Sequence, residues 1–133
     1  MANRSDLMGV GFAAQQALMI STQPESYTAT PGITVQASAT SLGGANPKIA
    51  LLTVASGTGT TFTLPASPPS GLFVYTTNLL ASLATATIYP ATGNLLNGAT
   101  NGTLLLTTGQ SAVFYTVAAG TALSVSWYSI KSA

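Results

Sequence analysis

From Tyr27 onward, apolar and β-branched residues come in short runs that Ser and Thr interrupt every few positions. Near the C-terminus Leu123, Val125, Trp127 and Tyr128 interleave with Ser124, Ser126 and Ser129, close to the two-residue period of a half-buried strand. Eight strands are predicted, over residues 33–40, 49–54, 60–64, 72–76, 84–89, 103–108, 112–117 and 122–130. Turn formers separate them: Gly43-Gly44, Gly57-Thr58-Gly59, Pro68-Pro69-Ser70-Gly71, Gly93-Asn94, Asn97-Gly98, Asn101-Gly102, Gly109 and Gly120. Gly and Asn supply positive φ at such places, and short strands at this spacing indicate an all-β sandwich or barrel.

The first 26 residues read differently. Leu7, Met8, Phe12, Leu18 and Met19 recur at spacings close to one helical face, Ser5 or Asp6 is placed to cap the start, and Pro24 stops the pattern. Gly9 and Gly11 weaken the first turn, so the firm helix is expected over residues 12–20. The division is therefore an N-terminal arm with a short helix, residues 1–26, and a β-domain, residues 27–133. The arm either packs on its own domain or docks on a partner.

Composition narrows the chemistry. Only Arg4, Asp6, Glu25, Lys48 and Lys131 carry side-chain charge, and the chain has neither His nor Cys. Charged residues are 4% of its 133 positions, against about 25% in ordinary domains. No Ser-His-Asp triad, Cys-His dyad or ordinary zinc site can be assembled within the chain. Glycoside hydrolysis usually needs two flanking carboxyl groups, and Asp6 and Glu25 both lie in the arm. The expectation is a protein that is not an enzyme, uses no cofactor and holds no metal.

Partners are narrowed too. Phosphate contacts need clustered Lys and Arg, yet residues 49–130 contain no charge at all. Nucleic acid is not an expected partner. Nor is a membrane, because the apolar stretch of residues 7–20 is shorter than a spanning helix. It also starts at Asp6, contains Gln15-Gln16 and precedes no small-residue cleavage site, so no signal peptide is expected.

Gly57-Thr58-Gly59 lacks the further glycines of a dinucleotide loop and reads as a turn. Tyr27, Tyr75, Tyr89, Tyr115, Tyr128 and Trp127 have the chemistry of a sugar platform, but aromatics in strand patterns more often form core or interface. Soluble domains blunt their sheet edges with Lys and other charges. Here only Lys48 and Lys131 lie beyond the arm. The chain closes its sheet, buries edges and apolar patches against other copies, or relies on its Thr- and Ser-rich strands being soluble alone; assembly is the expectation.

The segment Tyr89-Pro90-Ala91-Thr92-Gly93-Asn94-Leu95-Leu96-Asn97-Gly98 resembles one that recurs in small tailed-bacteriophage virion proteins. There, as in Leu104 to Leu106, Gly109 to Ala112 and Val113 to Tyr115, a strand, a Gly turn and another strand follow. The Trp127-Tyr128 pair is similarly placed, and Leu7 to Ala14 resembles the family's apolar helical opening, with Phe12-Ala13 where Met-Pro is common and Leu96 where Ile is usual. The resemblance implies a structural virion component: a capsid decoration (cement) protein on the capsid exterior, or alternatively a head or tail fibre module that touches host glycans.

It further implies a jelly-roll-like sandwich assembled as a homotrimer, with the major capsid protein as partner. Leu7, Met8, Phe12, Leu18 and Met19 would then dock on the shell. Tyr89, Phe114, Tyr115, Trp127 and Tyr128 would be trimer-interface or core aromatics.

Overall fold

A computed structural model describes residues 24–30, 32–43, 47–54, 60–80, 85–117 and 125–132. The expected N-terminal helix, with Leu7, Met8, Phe12, Leu18 and Met19, lies outside them. Within them the protein is all-β, with one 3-10 turn at Gln36–Ser38.

Among the described residues eleven strands run in chain order: β1 (Pro24–Ala29), β2 (Thr40–Ser41), β3 (Lys48–Val54), β4 (Thr61–Thr63), β5 (Phe73–Asn78), β6 (Ala86–Tyr89), β7 (Leu95–Leu96), β8 (Ala99–Thr100), β9 (Leu104–Leu106), β10 (Ser111–Thr116) and β11 (Ser126–Lys131). They form a seven-stranded sheet, β1-β3-β5-β10-β11-β7-β8, and a four-stranded sheet, β2-β4-β6-β9.

The first six strands alternate between the sheets, and each of the first four pairs in parallel with the strand two further on. Pro24, Ile49 and Tyr75 are thus neighbours on consecutive rungs of one sheet, and Thr61 and Thr87 on the other. Parallel neighbours need a long crossover, usually a helix. In this chain a strand of the opposite sheet serves, and the chain winds in coils of about 25 residues. A jelly roll is built from antiparallel strands, whereas antiparallel pairing is confined here to β6–β9, β5–β10, β10–β11 and β7–β8.

Side chains that alternate along each strand fill the space between the sheets. Ala50, Leu52, Val74, Phe114 and Trp127 come from the larger sheet, and Phe62, Ile88 and Leu106 from the smaller, all fully buried. Each large apolar side chain contributes about 1.5–3 kcal/mol when buried. Two buried polar residues make bonds here. Thr76 Oγ1 donates to the Ala112 carbonyl at 3.0 Å within the larger sheet, and Asn78 Nδ2 fastens the layers by crossing from β5 to the Leu106 carbonyl of β9 at 2.7 Å.

Three local expectations are corrected. Residues 33–40 are not a strand. Val35 points into solvent, Gln36–Ser38 make the 3-10 turn, and pairing starts only at Thr40. The Gln36 amide holds that loop by donating to the Pro90 carbonyl at 2.7 Å and Asn101 Oδ1 at 3.2 Å. Second, β1 begins at Pro24, so a strand runs across the expected boundary between residues 26 and 27. Proline is tolerated there because β1 is an edge strand. Third, Asn97-Gly98 joins two short strands, β7 and β8, that the hydrophobic pattern does not predict.

Candidate functional site

The outward face of the larger sheet concentrates what this chain can offer a partner. Phe73, Tyr115 and Tyr128 are cross-strand neighbours on β5, β10 and β11. The next row is Ile49, Tyr75, Val113 and Ile130, across β3, β5, β10 and β11. The two-residue strand period puts these seven on one side while Val74, Phe114 and Trp127 point inward. Tyr75 is 50% exposed and Ile130 63%, with Phe73, Tyr115 and Tyr128 also exposed. Large side chains left in water at this density are unusual, and aromatic enrichment with charge depletion marks an interface core.

The rings are organised in pairs. Phe73 and Tyr75 meet edge to face, with centroids 5.5 Å apart at 84°. Tyr115 and Tyr128 stack at 5.9 Å and 27°. Each ring of the stacked pair therefore spends one face on its neighbour. Hydroxyl pairs lie toward one margin, Thr77 with Ser111 at 3.0 Å and Thr28 with Thr53 at 3.1 Å. No charge interrupts the two rows: Lys131 pairs with Ala112, a position whose side chain faces inward.

The remaining described charges sit together elsewhere. Tyr27 Oη donates to Glu25 Oε2 at 3.0 Å, and the Lys48 ammonium lies 5.9 Å from the Tyr27 ring centroid. Lys48 Nζ donates to the Leu42 carbonyl at 2.6 Å and also to that of Gly43. Burial lowers the Lys48 pKa, opposed by the Glu25 carboxylate. Burial, then the hydrogen bond and the charge of Glu25, raise Tyr27 to about 12. With one carboxylate and an ammonium occupied by carbonyls, the cluster fastens the loop at residues 42–43 onto β3, and among the described residues it holds no second acid.

The turns between Gly93 and Asn101 are a set of backbone clamps. Asn94 Oδ1 accepts from the Val125 amide at 3.0 Å, and its Nδ2 donates to the Ala66 carbonyl at 3.1 Å. Asn97 Oδ1 accepts from the Ser129 amide at 3.0 Å, and its Nδ2 donates to Ser129 Oγ at 2.8 Å. Asn101 Oδ1 accepts from the Gly93 amide at 2.8 Å. These bonds moor the β7–β8 hairpin to β11 at one end of the larger sheet.

The five aromatics singled out in the sequence are therefore divided. Phe114 and Trp127 are core, Tyr115 and Tyr128 are on the outer face, and Tyr89 is half-buried at the end of β6. Tyr75, another of the candidate platform aromatics, is on the outer face too, and Ile49, Phe73, Val113 and Ile130 complete it without a distinguishing sequence signal. In Phe73-Val74-Tyr75 and Val113-Phe114-Tyr115 both parities are apolar, so periodicity cannot say which side meets water. No protein-family model, curated protein or solved structure matches this chain.

Proposed function

We propose that this chain is a structural virion protein, a decoration (cement) protein that binds the outside of a tailed-phage head and bridges neighbouring capsid subunits. One observation carries the reading: the larger sheet turns an uncharged apolar and aromatic face to solvent, around Phe73, Tyr75, Tyr115, Tyr128 and Ile130, as suits a component of a permanent particle that shares such faces with neighbours. The phage-like turn segment of residues 89–98 supports it independently.

The assembled form is a homotrimer, with the jelly-roll likeness resting on the antiparallel pairs β6–β9, β5–β10 and β10–β11. The partner is the major capsid protein, gripped by Leu7, Met8, Phe12, Leu18 and Met19 of the arm. The action is mechanical. Apolar area buried against the shell contributes roughly 25 cal/mol per Å² and opposes the outward push of packaged DNA. Exposed rings alone do not favour the fibre reading, because Tyr115 and Tyr128 each turn one face to the other rather than to a sugar.

Adding purified protein to heads that lack it tests this. Saturable binding that protects the heads against heat, and that persists at high salt because little Coulomb attraction is there to screen, is expected. Binding that disappears on raising the salt contradicts it.

A further inference from the structure

We infer that the outer face of the larger sheet is the surface through which copies of this chain bind one another. The inference rests on the virion reading for its trimeric stoichiometry and supplies what that reading lacks, the residues at the contact. Three observations select a second copy as the occupant.

The first is area. An aromatic side chain offers 150–250 Å². At the observed exposures Phe73, Tyr75, Tyr115, Val117, Tyr128 and Ile130, with half-buried Ile49, Leu51 and Val113 between them, present on the order of 600 Å². A standard interface buries about 800 Å² per partner, so this face with its hydroxyl margin supplies most of one of the two contacts that each chain makes in a trimer.

The second is charge. The two rows hold no ionisable group except phenols, so they give an oppositely charged partner nothing to recognise. Copies of the face gathered around a three-fold axis meet without like-charge repulsion, in a chain whose formal net charge is +1. The third is ring geometry. Tyr115 stacks on Tyr128 and Tyr75 meets Phe73 nearly at right angles, so the rings do not form the coplanar platform that a flat polysaccharide needs. Rings packed in this way present a ridged surface, suited to interdigitation with side chains of the same kind.

The test is the mass of the full chain in solution, by light scattering and sedimentation over a hundredfold range of concentration. The variants are Tyr75→Lys and Ile130→Lys. Both positions are solvent-exposed, and circular dichroism with thermal melting confirms that each variant is folded.

The wild type is expected at three times the 13.3 kDa chain mass, and each lysine variant at the mass of one chain. A monomeric wild type overturns the inference. So does an oligomer that both variants leave intact, which places the copy–copy contact elsewhere. If the variants stay oligomeric but no longer bind heads, or no longer bind a polysaccharide, the face belongs to the shell or to a glycan and the inference fails. Head binding by the wild type is scored separately, so the virion reading can stand or fall without this one.

Discussion

Tyr115 and Tyr128 sit opposite each other on β10 and β11, their rings stacked 5.9 Å apart on the outer side of the sheet, while their chain neighbours Phe114 and Trp127 are fully buried on the inner side. One antiparallel strand pair thus builds the core with one parity and an uncharged aromatic surface with the other.

This pair should be only weakly coupled in the isolated domain. A double-mutant cycle with Tyr115→Ala and Tyr128→Ala, followed by urea denaturation, is expected to give a coupling of about 0.5–1.5 kcal/mol, the range for aromatic pairs. A larger value would mean that the rings hold the fold rather than face a partner.

Trp127 is the largest core side chain, yet among the described residues its Nε1 donor finds no acceptor. Trp127→Ala should cost about 3–5 kcal/mol. Trp127→Phe should cost much less, under about 2 kcal/mol, because losing an unpaired donor offsets part of the void. Equal losses in the two variants would show that the indole N–H is bonded after all.

Asn97 combines a positive φ of 52° with two side-chain bonds to Ser129. Asn97→Gly keeps the backbone conformation and loses the clamp, at an expected cost of about 1–2 kcal/mol. Asn97→Ala loses both and should cost about 1 kcal/mol more. Chemical denaturation of the two variants separates these contributions, and identical midpoints would remove the backbone part of the account.

Alkaline stability should carry two opposed signatures. Tyr27 is raised from 10.0 to about 12 by burial and by Glu25, so between those values the unfolded phenol releases a proton that the folded one keeps, and stability falls as pH rises. Lys48 is lowered from 10.5 by burial. Just below 10.5 the unfolded chain binds the extra proton, and stability rises with pH. Tyr27→Phe should abolish the fall and remove a phenolate step near 12 from the ultraviolet titration. Lys48→Met should abolish the rise. An unchanged alkaline profile in Tyr27→Phe would contradict the assignment.

Much of the strand content is readable from the residues, and the winding is not. Short apolar and β-branched runs with flanking Gly or Pro mark β3, β5 and β10, and near-alternation marks β11, to within a few positions. Rung neighbours such as Pro24, Ile49 and Tyr75 share no residue type, because stacked parallel strands need compatible shapes rather than a repeated motif. Pro24 reads as a helix stop and is also the first residue of an edge strand; both uses exploit its missing N–H. Ile33, Thr34 and Val35 have strand propensity, but the Gln36 amide bonds bend the segment into a loop. The aromatic face stayed hidden because its strands are apolar on both sides.

Cryo-electron microscopy of intact particles tests the structural virion role most directly. Density for this β-domain at repeated positions on the outer surface of the head is the result that the account requires. Particles that carry no copy on the head, with the protein recovered only as free single chains, would contradict it.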